Sequence, residues 1–225
     1  MTTSELDALR TLLTRRHSVR GFRPDAVPSE VIEAVWTTAS RTPSWCNTQP
    51  WEVVVTSGDA TQRLRRTLSA AFVDGTPNPD LEFPTAYHGI YRGRRLESAL
   101  QLYGAVGVER GDRAASAAQA GKNFSFFGAP HVAVITTETE LGVYGAVDCG
   151  LFLSNALLAF EAQGVGAIPQ AALATYSDII REHLGIPDTR QVVVCVSFGW
   201  EETDDPANQF RTARAEPSSF VTYAT

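Results

Sequence analysis

The chain has 225 residues, 44% of them hydrophobic and 20% charged, enough apolar material for a real core and too much for a disordered or low-complexity chain. The 25 acids against 19 bases leave a net charge of −6, which argues against a general nucleic-acid or anionic-membrane binder. Lys122 is the only lysine, so an anion site here must be built mostly from arginine. Cys46, Cys149 and Cys195 are odd in number and far apart, and His17, His88, His131 and His183 stand alone. These spacings offer neither a disulfide framework nor a metal site. The N-terminal stretch has no long apolar run, and no window approaches 18 uncharged apolar residues. The expectation is a cytoplasmic globular protein that spans no membrane.

In chain order, Leu6, Leu9, Leu12 and Leu13 recur at helical spacing and predict a helix ending near residues 15–16. Pro28-Ser29-Glu30 starts a second helix, with Val31, Ile32, Val35 and Trp36 on its apolar face. The β-branched run WEVVVTS, 51–57, predicts a buried strand, and 59–73 returns to helix. Residues 75–93, rich in proline, glycine and aromatics, read as a long excursion rather than a linker between domains. Helices are expected over 94–106 and 111–120, and a strand at HVAVITT from His131. The helix at 144–163 is apolar nearly all round, which predicts burial in the core or between subunits. Gly164 closes it, VGAIP is extended, 176–184 is helical, and QVVVCVSFGW, 191–200, is the clearest strand. The β-prone ending SSFVTYAT has an apolar alternation suited to a partner's sheet. No internal repeat is present.

Four segments carry chemistry. Arg15-Arg16-His17-Ser18-Val19-Arg20 concentrates anion donors after a helix; on composition alone it reads first as a solvated basic turn complementing the helix dipole. Pro43-Ser44-Trp45-Cys46-Asn47-Thr48-Gln49-Pro50 holds amides and hydroxyls between prolines, either to meet the edge of a planar heterocycle or as turn chemistry. Cys46 has no neighbouring base and reads as a bystander. Gly164-Val165-Gly166-Ala167-Ile168-Pro169-Gln170-Ala171-Ala172 lets backbone approach a flat ligand, without the strand–GxGxxG–helix context of a dinucleotide fingerprint. Arg211-Thr212-Ala213-Arg214 is a second anion-binding candidate.

None of these is diagnostic alone, but in this order they resemble the FMN-dependent nitroreductases. RRHSVR is similar to that family's N-terminal phosphate motif, PSWCNTQPW to its PSxxNxQPW segment, and NQFRTAR to its C-terminal basic motif. The middle, with YRGRRLESALQLYGAVGVERGDR, NFSFFGAP and DCGLFLSNALLA, resembles the nitrobenzoate-type branch. The resemblance spans the chain and implies one α+β domain over 1–225. It also implies a mostly antiparallel sheet flanked by helices, a domain-swapped C-terminal tail, and a homodimer with two FMN sites at its interface.

Residue by residue, the resemblance assigns Arg16, Ser18 and Arg214 to the FMN phosphate, with His17 beside them. Arg20 falls at the N1–O2 edge of the isoalloxazine, as the charge-stabilising group. Ser44 and Asn47 would come from the partner subunit, and Asn123 would face the pyrimidine edge. Pro169, Gln170 and Ala171 match the stretch whose backbone N–H, at Ala171, approaches flavin N5. Thr212 stands where the family often carries lysine, with Arg211 as its replacement. The implied activity is two-electron, ping-pong reduction of nitroaromatic or quinone acceptors by NADPH or NADH. Nothing in the sequence reads the nucleotide's 2′-phosphate, so both donors stay open. Tyr87, Tyr91, Phe124, Phe126 and Phe127 are candidates for the acceptor pocket and equally for the core. Alternatives on the same fold are an FMN-dependent oxidase, dehydrogenase or reductive dehalogenase, or a non-catalytic flavin-binding protein.

Overall fold

The structure, a computed structural model, describes residues 4–224; Met1–Thr3 and Thr225, the ends of the N-terminal segment and of the tail, lie outside it. Four antiparallel strands form its centre in the order β1-β2-β4-β3: β1 Glu52–Thr56, β2 His131–Glu138, β3 Gly166–Gln170 and β4 Arg190–Gly199. The register pairs Val54 with Val134, Val134 with Cys195, and Ser197 with Ile168. Pro169 is tolerated because β3 is the edge strand of this ladder.

Both faces of the sheet are covered, which is why β2 reads as a continuous apolar run rather than an alternating one. Ala133 and Ile135 face one core, with Val35 and Ala39 of α2 (Ser29–Ala39) and Phe152, Ala156 and Phe160 of α6 (Gly142–Ala162). Val132 and Val134 face the other, with Leu64 and Leu68 of α3 (Gly58–Asp74) and Ile180 of α7 (Ser177–Leu184). A bulge between Ile135 and Thr136 changes the parity of β4: Val194, Val196 and Phe198 join the first core, whereas Val192 joins the second. Trp36 closes the first core, stacked at 6.1 Å on Phe152 and edge-on at 5.4 Å to Phe160.

The excursion after α3 is pinned by Asp80, whose carboxylate accepts the Val192 N–H at 2.7 Å and pairs with Arg181. It leads into α4, Gly89–Ala105, which starts five residues before the expected 94 and buries none of its side chains. The other helices are α1 (Glu5–Arg15), capped by the Ser4 hydroxyl on the Asp7 N–H, and α5 (Arg113–Gly121), capped by Asp112. The α1 helix ends where its leucine spacing predicts, and its leucine face is not buried within the chain: Leu6, Leu9 and Leu13 are exposed.

The long apolar helix divides into two faces within the single chain. Cys149, Phe152, Ala156 and Phe160 are core, but Val143, Tyr144, Val147 and Leu151 form an exposed stripe. Thr139–Ala162 is long and apolar enough, by length and composition, to cross a membrane. Its apolarity all round comes from two faces with different surroundings, one packed on the sheet and one open. The tail after Asn208 forms no strand among its described residues, and Phe220 and Tyr223 are exposed.

Candidate functional site

The first chemical segment leaves α1 at Arg16 in extended conformation and lies against the free edge of β3. Ser18 bridges Ala167 in parallel, and the Val19 N–H donates to the Ala167 carbonyl at 3.3 Å. Val19 is buried, so the alternation of extended chain turns Ser18 and Arg20 the opposite way. Gly166 is required beneath it: a Cβ there would stand 2.9 Å from Val19 Cγ2. On the outward side a cavity of about 580 Å³ opens, and Arg16, Ser18, Arg20, Arg211, Thr212 and Arg214 line it. The two basic segments, nearly 200 residues apart in sequence (16 and 214), therefore meet in one place.

This cavity is electrostatically incomplete. Arg16, Arg20, Arg211 and Arg214 form no ion pair with any carboxylate among the described residues. Burial, and next the facing Arg214 charge, hold the Arg16 guanidinium below its ordinary pKa, with Glu161 opposing them. Burial alone lowers Arg20. Arg20 has only the Ser18 carbonyl at 3.2 Å and the Phe210 ring at 5.7 Å for company. Half-buried guanidiniums that repel one another favour an anion between them.

His17 lines the same cavity with its ring anchored: Nε2 meets Glu201 at 3.0 Å and Nδ1 meets the Arg15 carbonyl at 3.2 Å. Thr212, in place of a lysine, accepts the Arg214 guanidinium on its hydroxyl at 2.7 Å, and Arg211 is turned onto the Asn208 and Phe210 carbonyls.

Gln170 and Asn123 are brought together, but not as two independent ligands. Gln170 is 2% exposed. Its Oε1 accepts from Ser197, and its Nε2 donates to the Asn123 carbonyl at 3.0 Å and Oδ1 at 3.2 Å. The Gln170 side chain is thereby occupied, leaving its backbone and those of Pro169 and Ala171 as what this stretch can offer a ligand.

The loop 43–50 lies elsewhere: neither Ser44 nor Asn47 lines the cavity of its own chain. Cys46, Asn47 and Gln49 all adopt left-handed backbone, with φ of 51°, 56° and 48°, conformations that cost about 1–3 kcal/mol each for such residues. Two buried side chains hold the loop in this shape. Asp148 of α6 accepts the Trp45 N–H at 3.1 Å, and Arg190 of β4 donates to the Pro50 carbonyl at 3.0 Å. Ser44 Oγ accepts the Gln49 N–H at 2.9 Å across the turn.

The five aromatic candidates divide. Phe124, Phe126 and Phe127 are buried, Phe124 stacking on Phe72 at 4.6 Å, whereas Tyr87 and Tyr91 are exposed. Only the last two remain available to a ligand. The buried thiols of Cys149 and Cys195 are pushed up to about 12 by burial, which makes them inert. Sequence reading missed Asp148, Arg190 and Asn208, each of which holds a backbone segment of the site.

The family model described as the Nitroreductase family matches residues 13–200. The chain is 34% identical over 209 residues to nitroreductase NfnB of Mycolicibacterium smegmatis, covering 92% of this chain and 89% of that protein. It is 30% identical over 219 residues to a 4-nitrobenzoate reductase of Pseudomonas putida, covering 97% and 95%. The crystal structure of the FMN-dependent nitroreductase NfnB from Mycobacterium smegmatis in complex with NADPH superposes with a TM-score of 0.94 at 32% identity. That match covers 99% of this chain and 100% of the other.

Proposed function

Because the chain belongs to the nitroreductase family, we propose that it is an NAD(P)H-dependent FMN oxidoreductase that reduces nitroaromatic acceptors, with quinones as a second acceptor class. The observation that carries this reading is the cavity of four arginines without carboxylate partners among the described residues, joined by Ser18 and set against the edge of β3. A phosphate supplies the missing negative charge, and a planar ring can lie along the strand edge beyond it. The residues present therefore fit FMN.

In this reading Arg16, Ser18 and Arg214 hold the phosphate, with Arg211 beside them on the cavity wall. Arg20 sits further along the same extended segment, where its positive charge stabilises negative charge on the N1–O2 side of the ring, most effectively where water is excluded. Asn123 is held by Gln170 with one amide N–H donated to the Ala120 carbonyl at 3.1 Å, so its second N–H is available to a pyrimidine carbonyl. The Ala171 backbone N–H would serve the N5 side. Bound FMN would supply the hydride chemistry between NADPH or NADH and the acceptor, so the protein needs no nucleophile of its own. Donor and acceptor use the same open face in turn, which gives ping-pong kinetics.

Two chains complete the site. A single chain exposes Leu6, Leu9 and Leu13 of α1, the α6 stripe from Val143 to Leu151, Leu96 and Leu100 of α4, and Phe220 and Tyr223 of the tail. Monomers rarely leave this many large apolar side chains without a partner surface. A homodimer with α6 at its centre and the tails exchanged buries these surfaces and brings Ser44 and Asn47 to the partner's ring. The whole chain, 1–225, acts as one such domain, in the cytoplasm. The protein should purify yellow and as a dimer, and it should bleach anaerobically with NADPH or NADH. A colourless chain that takes up no FMN overturns the enzyme reading, and a stable FMN-bound monomer in sedimentation overturns the shared site.

A further inference from the structure

The two arms of the arginine cavity come from opposite ends of the chain, and one residue touches both. Asn208 is 2% exposed, in the short turn Pro206–Asn208. Its Oδ1 accepts the Arg20 backbone N–H at 2.6 Å. Its Nδ2 donates to the Gly21 carbonyl at 3.0 Å and to the Glu202 carbonyl at 2.9 Å. Its own carbonyl accepts from the Arg211 guanidinium at 2.7 Å. One acceptor and two donors in the side chain are thus all used, two of them on the Arg20–Gly21 backbone and one on Glu202. Among buried side chains of this size only a carboxamide supplies that set; aspartate would bring a carboxylate against two carbonyl oxygens. The surroundings leave no slack: a Cβ on Gly21 would lie 2.3 Å from the Asp205 carboxylate, so the turn is seated directly on the 20–21 backbone.

Arg20 itself has no carboxylate to fix it, only the Ser18 carbonyl and the Phe210 ring. We propose that Asn208 is the positioning residue of this site: it joins the N-terminal and C-terminal arms and sets where the Arg20 charge stands, through the Arg20 backbone N–H. The proposal rests on the reading of the cavity as an FMN site. Asn208 touches neither ring nor phosphate.

The test is a double-mutant cycle on the holoenzyme with Arg20→Leu, Asn208→Leu and the pair. The readouts are the two-electron flavin potential by dye equilibration, the FMN dissociation constant, and the melting temperature of the apoprotein. Asn208→Leu should shift the balance of reduced to oxidised flavin about tenfold towards oxidised, a potential lower by about 30 mV. In the Arg20→Leu background most of that shift should vanish, because the charge it mispositions is gone. The smaller Asn208→Ser repeats the cycle should the leucine variant fail to fold. An equal shift with and without Arg20 overturns the proposal, as does a melting temperature that falls while the potential stays put, or failure of both variants to fold. If the wild-type chain takes up no FMN, the flavin reading fails and this one with it. If wild type binds FMN and responds to Arg20→Leu but not to Asn208→Leu, only this one fails.

Discussion

Two arginines in this molecule, Arg190 and Arg20, have opposite electrostatic surroundings. Arg190, 4% exposed in β4, pairs with Glu138 at 2.8 Å and Glu52 at 3.0 Å. It also donates to the Thr136 hydroxyl at 2.9 Å and to the Pro50 and Thr136 carbonyls at 3.0 Å. Arg20, half-buried at the cavity, has one carbonyl and one aromatic ring. The first guanidinium is satisfied by the fold and serves to hold it together, fixing the end of the 43–50 loop. The second is left with charge and donors that the fold does not use. Both are arginines in polar surroundings in the sequence; what separates structural from ligand-binding cations is whether folding itself neutralises them.

The comparison breaks most visibly in stability. Arg190→Met removes a charge from between two glutamates and strands two backbone carbonyls. Glu52 and Glu138 are partly exposed and can rehydrate, so the loss belongs at the lower end for a broken buried pair, about 3 kcal/mol. Urea unfolding of the apoprotein should record it as a lower midpoint at unchanged slope. A loss under about 1 kcal/mol would mean that Arg190 is not the structural member of the contrast.

The cavity arginines should do the reverse. Arg16→Ala or Arg214→Ala removes a charge that another guanidinium repels, so apoprotein stability should hold or rise slightly. FMN affinity should fall about ten- to a hundredfold, the equivalent of about 1.5–3 kcal/mol for a charge-assisted contact. Isothermal titration of apoprotein with FMN measures this, and full affinity in both variants removes the phosphate assignment. Arg20→Leu should have a smaller and different effect. The flavin potential should drop by tens of millivolts, about 30 mV for each tenfold change in the reduced-to-oxidised balance, with affinity far less affected than in Arg16→Ala. Lost binding at an unchanged potential would make Arg20 a phosphate ligand instead.

How much of this was legible in sequence follows the range of the interactions. The strands and α6 announce themselves by local pattern, because β-branched runs and long apolar helices carry their signal within a dozen residues. The start of α4 was missed because Gly89 and Gly93 look like loop. The arginine clusters could be seen, but their meeting could not. Asn208, Asp148 and Arg190 escaped because each acts through backbone groups 188, 103 and 140 residues away. A lone asparagine in a turn or a lone aspartate in a helix carries no sign of such a partner. The partner of the His17 ring was hidden for the same reason: Glu201 lies 184 residues on.

The mildest expected effect concerns pH, and it extends the comparison to a group that the fold satisfies only in one protonation state. His131 is 2% exposed at the start of β2, stacked at 5.0 Å on Phe198. Its Nε2 accepts the Val27 N–H at 2.9 Å, so the ring proton sits on Nδ1, facing the Thr56 carbonyl at 3.3 Å and the Ser57 hydroxyl at 2.9 Å. Burial pushes its pKa below the ordinary 6.5, with the Thr56 carbonyl opposing the shift. A histidine held neutral in the folded state contributes its stability fully above the unfolded value, because neither state then binds the proton. As pH falls below about 6.5 the unfolded chain takes up a proton that the folded chain refuses, and stability declines until the folded pKa is reached. A protonated ring would also point an N–H at the Val27 N–H. Unfolding free energy should therefore fall from about pH 6.5 towards the acid side in the wild-type protein. The variant His131→Asn, which has no titrating ring, should flatten that limb while starting from a lower plateau. A wild-type limb that persists unchanged in the variant would assign the acid sensitivity to the carboxylates instead.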